Sequence, residues 1–181
     1  MRIISGRYKS KRILAPKKLP VRPTTDMAKE ALFNILNNRY YFADISVIDL
    51  FAGTGNISYE FASRGTQHIT AVDTDSACVR FIDSISEEMD LGISTFKKDV
   101  FYYLEKSAAQ ADIIFADPFY DMAEEDFEKM VRLVFERNLL LENGTLIIEH
   151  TSQIDLSQLD HFSEKRKYGG SAFSFFNKSR P

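Results

Sequence analysis

From residue 45 to residue 149 the chain alternates short apolar runs with stretches of helical period, and this alternation restricts the fold more than any other feature of the sequence. Runs at 45–50, 68–73, 93–97, 111–116 and 144–149 have the length and residue types of strands. The segments between them, near 56–64, 76–89, 100–108 and 123–137, read as helices. Strands separated in this way call for crossover connections, so the sequence predicts βαβ units: an α/β fold with a central, mostly parallel sheet and helices on both faces. Gly65 and Gly92 fall where a helix end needs a residue free to adopt positive φ. The end of the chain breaks the rhythm. Leu159 to Tyr168, the turn Gly169-Gly170, and Ala172 to Phe176 predict an antiparallel pair of strands added to the parallel sheet.

Ahead of the alternation, Ala28, Ala31, Leu32, Ile35 and Leu36 recur on one helical face from Asp26 onward, with Thr24, Thr25 or Asp26 available as the cap. Pro16, Pro20 and Pro23 exclude a regular element just before it. Residues 1–15 place Ile3-Ile4 and Ile13-Leu14 on either side of a polar centre, which predicts a small basic β-hairpin. The expected organisation is therefore a hairpin and linker over residues 1–22, followed by one domain over 23–181.

Charge separates these two parts more sharply than the net value of -3 suggests. Arg2, Arg7, Lys9, Lys11, Arg12, Lys17, Lys18 and Arg22 all precede the first acid, Asp26, and a second basic group, Lys165, Arg166, Lys167, Lys178 and Arg180, lies near the other end. Such a stripe suits a polyanion such as RNA, whose phosphates release counterions wherever the local field is positive, and a solvated surface is its plain alternative. The single cysteine, Cys78, shares helical spacing with Phe81, Ile82 and Ile85 and reads as core. No run reaches the length of a membrane helix or a signal segment, so a cytoplasmic monomer is the expectation. The three histidines, His68, His150 and His161, have no metal-ligand spacing, and no metal is expected.

Two strand-to-helix junctions carry the chemistry. The first is Asp49-Leu50-Phe51-Ala52-Gly53-Thr54-Gly55-Asn56, where glycines allow a sharp turn and let a ligand touch bare backbone at a helix N-terminus. Ser58 replaces the third glycine of a dinucleotide loop, and no Lys-Ser or Lys-Thr follows for a nucleoside triphosphate, so a pyrophosphate ligand fits poorly. Asp49 instead favours a positively charged head, such as the amino and sulfonium groups of S-adenosylmethionine. Asp73, about 20 residues on, ends the next strand, where a carboxylate can accept bonds from ribose hydroxyls. Its alternative is to cap the next helix, a role that Thr74, Asp75 and Ser76 could also fill. Thr74 stands beside Asp73 as a further cofactor contact, and Asp99-Val100, after the third strand, is placed to meet an adenine amino group and ring.

The second junction is Asp117-Pro118-Phe119-Tyr120. An exocyclic base amine is a poor nucleophile because its lone pair is delocalised into the ring. The Asp117 carboxylate and the Pro118 carbonyl can take its two N–H groups and turn the lone pair toward a methyl donor, while Tyr120 offers a stacking face. In isolation the same residues could cap a helix, with Pro118 in its first turn.

These residues resemble a known family. Arg22-Pro23-Thr24-Thr25-Asp26 leading into Glu30-Ala31-Leu32-Phe33-Asn34-Ile35-Leu36, Asp49 to Gly55, Ser63-Arg64-Gly65, Asp117 to Tyr120 and Lys167-Tyr168-Gly169 are similar to the bacterial 16S ribosomal RNA guanine-N2 methyltransferases. The resemblance covers nearly the whole chain. It implies a Rossmann-like class I methyltransferase fold, S-adenosylmethionine as cofactor, N2-methylguanosine as product, and 16S ribosomal RNA or the assembled small subunit as partner. It also puts the cofactor loop on Asp49 to Asn56, the ribose acid on Asp73 and the catalytic tetrad on Asp117, Pro118, Phe119 and Tyr120. Two positions depart from the pattern: Phe119 stands where a second proline is usual, and Asp73 where glutamate is usual. N6 methylation of adenine, an RNA-binding assembly factor without turnover, and a nicotinamide-dependent oxidoreductase are the competing readings.

Overall fold

The structure is a computed structural model that describes residues 1–16, 19 and 24–178. In chain order its elements are α1 (Asp26–Asn37), β1 (Ser46–Leu50), α2 (Asn56–Ser63), β2 (His68–Asp73), α3 (Ser76–Glu88), β3 (Ile93–Lys97), α4 (Val100–Lys106), β4 (Ala111–Ala116), α5 (Glu124–Glu136), β5 (Leu140–Thr151), β6 (Phe162–Tyr168) and β7 (Ser171–Asn177). The strands form one sheet in the order β3-β2-β1-β4-β5-β7-β6. β1 to β5 run parallel, and β7 lies antiparallel between β5 and β6, as the sequence predicts.

Period-two alternation along the central strands feeds two cores. On β4, Ile113 and Phe115 pack with α1, α2 and α3 residues such as Leu32, Phe61 and Ile82. Ile114 and Ala116 point to the opposite face and pack with Leu104 of α4 and Met130 and Val134 of α5. Both faces of the sheet are thereby covered, which is the condition for a parallel sheet. Strand order reverses between β1 and β4, the point in a sheet of this kind where the loops leaving the C-terminal strand ends turn to opposite sides.

Element limits follow the sequence closely, with two informative differences. β5 extends beyond 144–149 to Leu140–Thr151 because β7 pairs along it as far as Thr151 and a register shift opposite Ala111 and Ile113 absorbs its irregular start. The N-terminal hairpin is reduced to a single antiparallel bridge between Arg2 and Arg12. Its two arms bond to each other, Ile3 N–H donating to the Lys11 carbonyl and Ile13 N–H to the Met1 carbonyl, while its central loop bonds to α2: the Glu60 carboxylate accepts from the Ile4 and Ser5 N–H groups, and the Ser63 carbonyl accepts from Arg7 N–H. A side chain at Gly6, where φ is +86°, would overlap the Ser63 carbonyl, so only glycine lets the loop lie this close. Ile3 and Ile13 are buried in the same core as Leu32 and Phe33, which packs the described part of the basic extension onto the domain.

Candidate active site

At the end of β1 the chain turns through Phe51, held at φ +56°, into the glycine loop. Ala52 N–H donates to the Val72 carbonyl, and Gly53 N–H donates to Asp73 Oδ2 at 2.8 Å. The other oxygen of Asp73 accepts from Asp75 N–H at 2.8 Å, while Asp75 itself caps α3 through the Ala77 and Cys78 N–H groups. Asp73 is thus not the cap; it braces the loop and keeps lone pairs on both oxygens. Gly55 is the N-cap of α2 at φ +79°, and a Cβ there would lie 2.7 Å from the Tyr59 ring.

Ser58 explains its own presence where a third glycine would stand. Its N–H and its hydroxyl both donate to Asp49 Oδ2, at 3.2 and 2.6 Å, which leaves the lone pairs of Oδ1 to a ligand. Asp49 is 2% exposed, and burial pushes its carboxyl up to about 7, against the two Ser58 bonds and with a further push from the Asp73 charge. A buried acceptor poised to ionise near neutrality is a natural seat for a cationic group, so this donor and acceptor set fits the methionine end of a sulfonium cofactor.

The β1–β4 register continues Leu50 against Ala116, and Asp117 N–H donates to the Leu50 carbonyl, so Asp117 enters beside Phe51. The capping alternative for Asp117 fails, because α5 starts at Glu124 with Ala123 as its N-cap. Pro118 is buried, whereas Phe119 and Tyr120 are 63% and 74% exposed, and the Phe119 ring meets the Phe51 ring edge-on at 6.1 Å. The Phe119 ring therefore packs on the glycine loop and joins the two junctions. Burial, then the charges of Glu149 and Asp49, hold the Asp117 carboxyl well above the ordinary carboxylate range.

Other expected contacts stand in mixed positions. Asp99 caps α4 through Tyr102 N–H and is exposed, Val100 is buried, Thr74 is exposed, and Thr54 is buried within the loop. The Asn56 side chain turns inward: its Oδ1 accepts from Lys29 Nζ and its amide donates to the Thr24 carbonyl. On the extension Arg2, Arg7, Lys9, Lys11 and Arg12 are exposed, with Arg2 near Asp26 and Lys11 near Glu88. Lys17, Lys18 and Arg22 lie outside the described residues. The second basic group is largely structural: Lys165 donates to the Ser152 and Ile154 carbonyls, Arg166 pairs with Glu164, and Lys178 holds Leu140 and Asn138. Cys78 is buried, His150 bonds Ser174 and Thr151, and His161 stacks on Phe135. Among the described residues no group of His, Cys, Asp or Glu could hold a metal, and no helix is long and apolar enough to cross a membrane.

Sequence reasoning missed a buried polar chain. Lys29, with no exposed surface, donates to the Arg2 carbonyl at 2.7 Å and to Asn56 at 2.8 Å, and stands 3.4 Å from Glu60, which also takes Arg64. From Asn56 the chain continues to Thr24, whose hydroxyl donates to Glu149 at 2.7 Å. A signal existed in Lys29, a charged residue on the apolar face of α1, and in Glu149, an acid ending an apolar strand.

Comparison with known proteins agrees with this geometry. The sequence model of the family described as conserved hypothetical protein 95 matches residues 1–177. The Bacillus subtilis (strain 168) protein YlbH is 30% identical over 98% of this chain and 99% of its own length. The Escherichia coli (strain K12) protein named ribosomal RNA small subunit methyltransferase D is 25% identical over 82% of this chain and 74% of its length. The solved Escherichia coli structure yhhF superposes with a TM-score of 0.85 at 23% identity, covering 98% of this chain and 97% of that one. More distant neighbours of the same fold include methyltransferases solved with SAH, or with AdoMet and guanosine.

Proposed function

The chain belongs to the conserved hypothetical protein 95 family, and from that premise we propose that it is an S-adenosylmethionine-dependent methyltransferase acting on the exocyclic N2 amine of one guanine in small-subunit ribosomal RNA. The observation that carries this reading is Asp117, a carboxyl with no helix to cap, set beside the glycine loop at the point where strand order reverses.

Asp49 Oδ1 and the backbone of Phe51, Ala52, Gly53, Thr54 and Gly55 are the proposed cofactor contacts, with Asp73 accepting from ribose hydroxyls and Thr74, Asp99 and Val100 toward the base. Bound S-adenosylmethionine supplies an electrophilic methyl group on a sulfonium. Asp117 and the Pro118 carbonyl accept the two N–H groups of the guanine amine, which turns the nitrogen lone pair toward that methyl in line with the breaking C–S bond. The new C–N bond leaves an excess proton, which Asp117 takes or passes to water. Phe119 and Tyr120, exposed at the mouth, offer faces on which an unstacked base can rest.

Arg7, Lys9 and Arg12, which form no ion pair among the described residues, are the proposed phosphate contacts, together with Arg2 and Lys11. Their exposed pairings with Asp26 and Glu88 are weak enough to yield to phosphate. An assembled small subunit as substrate, a monomeric enzyme and a cytoplasmic location complete the proposal.

The test is transfer of a labelled methyl group from S-adenosylmethionine to unmodified small subunits, followed by nucleoside analysis, with Asp117→Ala alongside. N2-methylguanosine is expected from the wild type, and the variant should lose about a thousandfold or more in turnover. Its cofactor affinity should stay within about threefold of wild type. N6-methyladenosine would move the target base, and cofactor binding without any transfer would favour the assembly-factor reading.

A further inference from the structure

Glu149 is one residue beyond the β4–β5 register pair Ala116 and Ile148, so Asp117 and Glu149 leave neighbouring parallel strands side by side. Two carboxylates so placed cannot both ionise freely. Glu149 is 6% exposed and is held by the Thr24 hydroxyl at 2.7 Å, with the Ser171 hydroxyl also facing it. Among the described residues Asp117 has no comparable hydroxyl donor, and beside Glu149 the charge of Asp49 from β1 acts on it. The hydroxyls therefore favour the ionised form of Glu149, and any proton the pair shares rests on Asp117.

We propose that Glu149, fixed by Thr24, is a positioning residue for Asp117: it sets the proton occupancy of the acceptor that receives the base amine, and ties that acceptor to the seating of the N-terminal loop. Thr24 is the hinge of this connection. Its hydroxyl holds Glu149, and its carbonyl accepts from Asn56, which bonds Lys29, which in turn bonds the Arg2 carbonyl. The element that carries the basic residues and Glu149 of β5 are thus joined by four consecutive polar contacts through the interior. The incoming amine N–H groups and the sulfonium charge favour the ionised form of Asp117, against the burial and the Glu149 charge that disfavour it, so seating both ligands strengthens the acceptor.

This inference rests on the proposed methyl transfer, and its test separates the two. The Asp117 carboxyl is followed by carbon-13 NMR across pH in the protein without ligands, assigned by its loss in Asp117→Asn, and the pH profile of kcat is measured on small subunits. Glu149→Gln removes the charge and should lower the Asp117 midpoint, and the acid limb of kcat, by roughly one pH unit. Thr24→Val, which leaves Glu149 in place but without the Thr24 hydroxyl, raises the Glu149 carboxyl and should lower the Asp117 midpoint in the same direction, while Thr24→Ser restores it. Should Glu149→Gln fail to fold, the Thr24 pair decides alone. Midpoints unmoved in the folded variants overturn the inference. A wild type that transfers no methyl while the midpoints shift as expected would sink the proposed reaction and leave the coupling between Glu149 and Asp117 standing.

Discussion

Asp73 shows how one side chain at this site does two things at once. It braces the glycine loop through Gly53 N–H and the start of α3 through Asp75 N–H, and each oxygen keeps a lone pair for a ribose hydroxyl. Removing it costs the loop its anchor and, on the proposed function, the cofactor its ribose acceptors, without touching an atom assigned to the sulfonium. Asp73→Ala should therefore raise the cofactor dissociation constant by about tenfold or more while changing saturated turnover by less than about threefold. Titration calorimetry with S-adenosylmethionine and single-turnover kinetics check the split, and unaltered cofactor binding would reduce Asp73 to a structural brace. Phe119 works by the opposite logic. Where a second proline would stiffen the backbone, it packs its ring on Phe51 at φ +56°, so side-chain contact takes over part of the task of holding the two junctions together.

At the scale of elements, the contact between the N-terminal loop and α2 is the most exacting. Glu60 and Ser63 satisfy five backbone groups of the loop, four N–H groups and the Ser5 carbonyl, and Gly6 permits the approach. Gly6→Val meets both a strained φ and the Ser63 carbonyl, so the loop must lift away with its exposed arginines and lysines. Ribosomal RNA affinity is then expected to fall by about tenfold at moderate salt, with a shallower dependence on salt, because fewer phosphates are contacted together. Cofactor affinity should not change, since the loop leaves Asp49 and Asp73 untouched. Filter binding over a salt series checks this, and an unchanged slope would mean that the extension is merely solvated. The same contact marks where sequence reading runs out. Alternating apolar runs located β1 to β5 and their crossover helices within a residue or two at most ends, because burial on both faces leaves strands few alternatives. The arms of the hairpin do meet, Ile3 with Lys11 and Ile13 with Met1, but its central loop takes further backbone partners from α2, over 50 residues away, which no local pattern reveals. Asp49, Asp73 and Asp117 were legible as strand-ending acids; Lys29, Glu60 and Glu149 were not, since their partners come together only in three dimensions.

Across the whole molecule the buried carboxyls near the strand ends share one sign, and this makes stability and ligand binding depend on pH together. Asp49 is raised to about 7, and Asp117 and Glu149 are raised as well, each chiefly by burial. A carboxyl with a raised folded value stabilises the fold at pH below its ordinary value, and that contribution is lost as pH climbs through the folded value. His150 runs the other way: burial lowers it from 6.5, so its contribution is present above 6.5 and lost only below. Between pH 6.5 and 8 the raised Asp49 carboxyl titrates, and the Tm of the ligand-free protein should fall across that window. S-adenosylmethionine should reverse the trend, because ionising Asp49 and Asp117 strengthens the seat of a cation, and its stabilisation should grow with pH. S-adenosylhomocysteine, which keeps the ammonium but lacks the sulfonium charge, makes the control: it should raise Tm by an amount that grows less steeply with pH over the same range. Thermal unfolding of the three states at pH 6.5, 7.2 and 8 measures this directly. Parallel pH dependence for the two ligands would place the methyl-bearing sulfur away from Asp49 and Asp117, whereas divergence in the expected direction ties both carboxyls to the charge that drives the transfer.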